Sequence, residues 1–332
     1  MQHNKIFVSE KIGTSYTSEL EEGDYIPYFN DKKINIQSHA GEPILFVVSD
    51  VYEPSFPDFD IDTYFICNES QDSNPNIIVN KNIRKLFPEG FILTTPNLKI
   101  HKIFEKIEDV KIENIPEIEP PIIIVPNVIT EKFKNELIEY YENSNKNIVE
   151  LKGTKNRRHV FPDKEFTKRL DDKLSKSLLP ELKKIYNIDI TYRENFKICS
   201  YTAEDKGKFH AHRDSIYPFG HRRLAMSLIL NDDYEGGGII FPEYNNKAYK
   251  PQACSAVIFP TPLYHQVLEV TGGRRYVIIA FFFGDEEADY KKDFNELQKR
   301  DTNIDKYKMT VQRDQRGFLV NDICPQKWHQ EL

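Results

Sequence analysis

Uninterrupted apolar runs bounded by turn formers open the patterned part of the chain: Ile44-Leu-Phe-Val-Val48 and Thr63-Tyr-Phe-Ile-Cys67. Runs this short read as buried strands. Phe91–Leu93, a turn at Thr95-Pro-Asn97 and the segment Leu98–Phe104 predict a strand, a turn and a further strand, with a short helix over Asn80–Phe87 before them. This first stretch is α/β in character. Glu113-Asn-Ile-Pro-Glu-Ile-Glu-Pro-Pro121 then mixes prolines with acids and predicts a linker. Past it the period changes. Ile122–Val125 reads as a strand, and Thr130 caps a helix whose apolar face is Phe133, Leu137, Ile138 and Tyr141. Phe166, Leu170, Leu174 and Leu178 recur at a spacing of four, a second helix that Pro180 either interrupts or follows with a new turn. From Ile190 to Phe283 short β-like runs are separated by glycine and proline. Helices first and antiparallel-looking strands afterwards predict a sandwich or barrel braced by helices. Residues 285–300 read as a charged helix and 301–332 as a polar tail.

A chain of 332 residues with this change of pattern is expected to hold two domains. Its 45 basic and 52 acidic residues leave a net charge of −7, which disfavours a protein that leans on nucleic-acid phosphates. The longest apolar stretches, such as Val277–Phe283, fall far short of the ~20 residues a membrane span needs. Met1-Gln2-His3-Asn4-Lys5 leads into no apolar run, so no secretory signal is expected and the expected location is cytoplasmic. Cys67, Cys199, Cys254 and Cys324 lie far apart and predict neither a disulfide framework nor a zinc cluster.

Candidate chemistry concentrates in Phe209-His210-Ala211-His212-Arg213-Asp214. On a strand, His212 and Asp214 share a face because alternate residues point the same way. Fifty-one residues after Asp214 comes His265. Two histidines and one carboxylate make the facial triad of non-haem Fe(II) oxygenases, which leaves coordination positions open for a chelating cosubstrate and dioxygen. Ten residues after His265 stands Arg275. If Thr271-Gly-Gly273 closes a hairpin with a three-residue loop, His265 pairs with Ile279, and His265 and Arg275 fall on one face about 14 Å apart along the strands. Arg274 would then point away, into solvent. Lys152, Lys155, Arg157 and Arg158 form a basic cluster, read as a solvated loop in preference to a dock for an acidic substrate.

The stretch His265-Gln-Val-Leu-Glu-Val-Thr-Gly-Gly-Arg-Arg275-Tyr276 resembles the H-x-V-x-x-V-x-x-G-x-R-Y run of 2-oxoglutarate/Fe(II)-dependent dioxygenases of the prolyl-4-hydroxylase-like superfamily. Tyr201…Gly207…Phe209-x-x-His212-x-Asp214 is similar to that family's Y…G…[YF]-x-x-H-x-D. Arg223…Leu230-Asn-Asp232…Gly236-Gly-Gly238…Phe241-Pro242 is similar to its R…L-N-D…G-G…F-P run. The likeness covers about residues 119–285. It implies a double-stranded β-helix of jelly-roll, cupin-like form, with His212, Asp214 and His265 as iron ligands and as the catalytic centre. It further implies Arg275 on the distal carboxylate of 2-oxoglutarate and Tyr201 as a hydrogen-bond donor to that cosubstrate. Fe(II) and 2-oxoglutarate are the implied cofactors, with ascorbate as an auxiliary reductant. The implied reaction is hydroxylation of a prolyl or other peptidyl or amino-acid side chain, releasing succinate and CO2. The family spacing selects His212 over His210, which is left as a substrate-side residue or as packing.

Residues 20–48 and 91–100 resemble, more loosely, parts of a peroxiredoxin-like, thioredoxin-fold α/β domain. The peroxidatic cysteine of that family has no counterpart in Asp50-Val-Tyr-Glu-Pro-Ser-Phe-Pro57, and Cys67 lies in an apolar strand. Hence the expected organisation: a degenerate redoxin at 1–112, a linker at 113–121, the dioxygenase at 122–300 and the tail at 301–332. The competing expectation is a non-catalytic binding or assembly protein on the same scaffolds. A thiol peroxidase is disfavoured by the missing cysteine.

Overall fold

The computed structural model describes residues 19–292, apart from 27–40, 53–60, 71, 73–75, 113, 152–154, 216–218 and 290, together with 312–313 and 319–320. The chain divides into two units, residues 1–118 and 119–332. Among the described residues, no helix is long and apolar enough to cross a membrane.

The first unit is built on one five-stranded sheet in the order β3-β2-β1-β4-β5. Its strands are β1 (Ile44–Val48), β2 (Asp62–Cys67), β3 (Ile77–Val79), β4 (Gly90–Thr94) and β5 (Ile100–Phe104). β1 to β3 run parallel, β4 runs antiparallel to β1, and β5 runs antiparallel to β4. Every residue of β1 is buried, as an unbroken apolar run requires, because both faces of the sheet are covered. The helix predicted over 80–87 is shorter, α1 (Lys81–Arg84): the Asn80 side chain accepts from Ile83 N–H at 3.2 Å, and the chain leaves the helix before Phe87, which is fully buried.

The second unit winds a 12-stranded antiparallel sheet on itself. Its elements in chain order are β6 (Ile123–Val125), α2 (Glu131–Asn143), β7 (Asn147–Leu151), β8 (Lys155–Val160), α3 (Lys164–Ser177), α4 (Leu179–Tyr186), β9 (Tyr192–Arg193), β10 (Lys197–Thr202) and β11 (Lys208–His212). They continue as β12 (Leu224–Ile229), β13 (Glu235–Gly236), β14 (Ile239–Phe241), β15 (Asn245–Tyr249), β16 (Ala256–Pro260), β17 (His265–Val267), β18 (Val270–Gly272) and β19 (Arg274–Phe283). One wall is β15-β14-β17-β11 and the other is β10-β19-β12-β16-β6, with β8 pairing to both β11 and β10. This curled sheet is consistent with a double-stranded β-helix.

Alternation sorts the side chains of the larger wall into two cores. Ile198, Leu224, Met226, Leu228, Ile278 and Phe282 pack outward on the helices. Cys199, Tyr201, Ala225, Ile229, Val277 and Phe281 face the barrel interior. Thr130 caps α2 through its Oγ1, which accepts from Phe133 N–H at 3.2 Å, and Phe133, Leu137 and Tyr141 are buried. Pro180 starts a new turn: it stands in the first turn of α4, where its missing N–H costs nothing. The predicted helix at 285–300 and the tail at 301–332 lie largely outside the described residues.

Candidate active site

β11 closes on His212, β17 opens on His265, and the ladder sets these two residues opposite one another. Asp214 lies two residues beyond β11, where its backbone N–H donates to the Thr261 carbonyl at 3.0 Å. Each imidazole is held from behind. His212 Nδ1 is 2.7 Å from the His210 carbonyl oxygen, and His265 Nδ1 is 2.9 Å from that of Leu263. A carbonyl only accepts, so Nδ1 carries a proton in both rings, which leaves Nε2 as the nitrogen turned toward a metal. Both Nε2 atoms face Asp214, His212 at 3.4 Å from Oδ1 and His265 at 3.4 Å from Oδ2. His210 thus enters the site through its backbone.

Burial acts to raise the Asp214 carboxyl, but His265, His212 and Arg222 together outweigh it and hold the group at about 2. Burial pushes His265 down to about 4. At neutral pH the site therefore presents an anion and a bare ring nitrogen. The donor atoms of His212, Asp214 and His265 all lie within 4.8 Å of one another. Lone pairs converging in this way repel one another unless a cation lies between them, and this nitrogen–oxygen set fits Fe(II).

Arg275 is 1% exposed. Its Nη2 donates to Ser227 Oγ at 3.2 Å, its guanidinium carbon stands 5.3 Å from the centroid of the Tyr201 ring, and its Nε has no partner. Among the described residues no carboxylate pairs with it. Gly237, at φ +64°, lets the backbone pass: a Cβ there would stand 2.9 Å from Val270 Cγ2 and 3.1 Å from Arg275 Cδ. A buried guanidinium without an anion is costly, so this pocket fits one carboxylate of an extended diacid. Arg275 and the three donor residues line one cavity of about 320 Å³.

The hairpin expected between His265 and Arg275 does not form. β17 pairs with β11 and β14, β18 pairs with β13, and β19 pairs with β9, β10 and β12. The chain crosses from one wall to the other at 268–273, helped by Gly273 at φ +71°. His265 and Arg275 therefore reach one cavity from opposite walls and share no ladder.

Tyr201 is buried beneath Arg275 and does not line the cavity; its hydroxyl bonds with Arg157. Arg274 turns to the helix side, where it pairs with Glu142 of α2 at 2.9 Å instead of standing free in solvent. The basic cluster is not a solvated loop. Lys155 and Arg157 line the cavity, whereas Arg158 pairs with Asp205 at 2.9 Å and Lys152 lies outside the described residues. Ser227 and Lys197 went unmarked in the sequence. Both share a face with marked residues, Lys197 with Tyr201 on β10, and strand alternation is the signal that finds it.

The 2OG-Fe(II) oxygenase superfamily matches over residues 196–283. No curated protein matches the chain. Among solved structures, a viral collagen prolyl hydroxylase from Paramecium bursaria Chlorella virus-1 is similar at 16% identity and TM-score 0.40, covering 48% of this chain and 94% of that one. A Trichoplax adhaerens prolyl hydroxylase bound to a hypoxia inducible factor fragment is similar at 17% identity and TM-score 0.42, covering 50% and 84%. A Pseudomonas putida prolyl-4-hydroxylase is similar at 13% identity and TM-score 0.41, covering 49% and 91%. The second unit carries a 2OG-Fe(II) oxygenase domain. Its reaction class is that of a 2-oxoglutarate-dependent dioxygenase, with Fe(II) and 2-oxoglutarate as cofactors.

Proposed function

We propose that this chain hydroxylates an unactivated C–H bond of a prolyl or other peptidyl or amino-acid side chain. Substrate, 2-oxoglutarate and O2 are converted to alcohol, succinate and CO2. The observation that carries this reading is the convergence, in one cavity, of the His212–Asp214–His265 donors with an unpartnered Arg275. His212, Asp214 and His265 would hold Fe(II), which when bound supplies the activation of dioxygen. Arg275 would fix the far carboxylate of 2-oxoglutarate, with Tyr201 supporting the guanidinium through its ring face. Phe259, Ile239 and Val267 give the cavity apolar wall beside the triad, which would shield the reacting atoms from water. A purely binding role is disfavoured, because it leaves this set of donors without a task.

The first unit is read as a thioredoxin-like scaffold without redox activity. The support is Cys67, 1% exposed, whose thiol is pushed up by burial and so kept from forming the reactive thiolate.

The test is turnover by the full chain with Fe(II), 2-oxoglutarate and ascorbate, screened against peptides and amino acids. Succinate should form in step with a product one oxygen heavier. Absence of succinate release under every condition would contradict the reading.

A further inference from the structure

Six basic side chains line the cavity: Lys155, Arg157, Lys197, Arg213, Arg222 and Arg275. Two are already neutralised. Arg213 grips Glu243 with both Nη atoms at 2.9 and 2.5 Å, and Arg222 grips Glu194 at 2.7 and 2.8 Å. Arg275 is reserved for the cosubstrate. Lys155, Arg157 and Lys197 remain, and among the described residues none has a carboxylate within ion-pairing distance. Arg157 is only 8% exposed, and its Nε has no hydrogen-bond partner. The three also repel one another: Arg157 pushes both lysines down, after burial itself, and Lys155 falls to about 7.

Iron and 2-oxoglutarate do not supply the missing charge. Their formal charges cancel, and Asp214 offsets only one of the four unpaired cations, so positive charge stays uncompensated even with Lys155, at about 7, only partly protonated at neutral pH. Position separates Lys197 from Arg275 as well, whereas Arg157 meets the Tyr201 hydroxyl beside Arg275. Tyr201 lies opposite Arg275 in the ladder while Lys197 lies opposite Ile279, four residues or roughly 13 Å away along β10. Lys155 sits near the reacting centre. Its Nζ is 4.0 Å from the centroid of Phe209, and that ring stacks on His212 at 3.7 Å. Sustaining such a cluster beside a metal is costly without an anion to receive.

We propose that the primary substrate is anionic, presenting a carboxylate or phosphate to Lys155, Arg157 and Lys197 while its C–H bond faces the triad. This rests on the hydroxylase reading and narrows its substrate to acidic peptides or amino acids, or to phosphorylated ones. Phe209, Phe219 and Phe281 offer apolar surface in the same cavity for the carbon portion.

The test uses the full chain loaded anaerobically with Fe(II) and 2-oxoglutarate, so that substrate binds without turning over. It is dialysed to equilibrium against peptides and amino acids in matched pairs, Asp with Asn, Glu with Gln and phosphoserine with Ser, and the retained species are weighed by mass spectrometry. Acidic members should be retained at least tenfold over their neutral partners, the scale expected when a buried cation gains its anion. Retention of only the carboxylate or only the phosphate members identifies the source. In Lys155→Met/Lys197→Met the preference should fall to within threefold, and the loss of acidic ligand should exceed any loss of 2-oxoglutarate by at least tenfold. Equal retention of acidic and neutral members by the unaltered protein would overturn the proposal whether or not the variant folds. So would a variant that keeps the preference or loses 2-oxoglutarate just as severely. Oxygen is then admitted to the unaltered protein. Succinate without acid preference sinks only the anionic pocket; acid preference without succinate sinks the hydroxylase reading.

Discussion

β1 of the first unit and β10 of the second are both buried strands, but they are buried in different surroundings. Leu45 and Val47 pack with Phe91 and Leu93 on one face of β1, and Ile44, Phe46 and Val48 pack with Ile66 and Phe87 on the other. Buried polar side chains beside it are satisfied: Thr94 Oγ1 accepts from Ile44 N–H at 3.0 Å, and Thr95 Oγ1 accepts from Lys99 N–H at 3.2 Å. β10 has one comparable face, where Ile198 joins the helix-side core and Ser200 Oγ bonds with the Tyr141 hydroxyl at 2.7 Å. Its other face carries Lys197 and Tyr201 into surroundings where Arg157 and Arg275 each keep an Nε without a partner. An unsatisfied buried polar group costs roughly 1–3 kcal/mol. Such groups persist where a ligand completes them. Dry, satisfied burial marks a scaffold, and burial with unmet charge marks a site.

That contrast makes unequal predictions for the two regions. Phe46→Ala removes a fully buried ring from the first sheet and should cost about 3–5 kcal/mol in unfolding of that unit, followed by denaturant titration. Iron stoichiometry should stay unchanged; a loss of iron would erase the distinction between scaffold and site. Arg275→Gln should cost on the order of 2–5 kcal/mol in 2-oxoglutarate binding, roughly 30- to 4,000-fold, read by titrating the iron-loaded protein. Arg274→Gln, one residue away, breaks only half-exposed contacts with Glu142 and the Tyr276 hydroxyl and should change the affinity by less than about twofold. If the two arginines exchange these outcomes, the alternation of β19 has been misread.

Lys155 gives a smaller effect with a definite sign. Its folded value, about 7, lies below the ordinary lysine value of 10.5, so between these the unfolded chain binds more protons and stability rises with pH. The penalty is present in full below pH 7 and fades toward pH 10. Lys155→Met should therefore raise the melting temperature of the ligand-free protein by a few degrees at pH 6, with the gain vanishing near pH 10. A variant less stable at pH 6 would show that the lysine has a partner in the fold.

Much of this site was legible in the sequence because its signals are local. His212 and Asp214 sit two apart at a strand end, and His265 precedes Arg275 by ten. The apolar faces of α2 and α3 repeat at helical spacing. Pairing was not legible: the segment from His265 to Arg275 looks like a hairpin, and only the closure of the barrel shows that it crosses between walls. The basic strand is hidden for another reason. Lys155-Asn156-Arg157-Arg158-His159 is polar at every position, so hydrophobic alternation carries no information on which face is buried. A barrel interior that binds charge hides from a reading that equates interior with apolar.

Equilibrium dialysis of Fe(II) under anaerobic conditions tests the central claim most directly, comparing the unaltered chain with His212→Ala, Asp214→Ala, His265→Ala and Arg275→Gln. One tightly held Fe(II) per chain is expected in the unaltered protein and in Arg275→Gln, with occupancy lost in each of the other three. Full occupancy in His265→Ala, or equal loss in Arg275→Gln, would contradict the assignment of His212, Asp214 and His265 as the iron site.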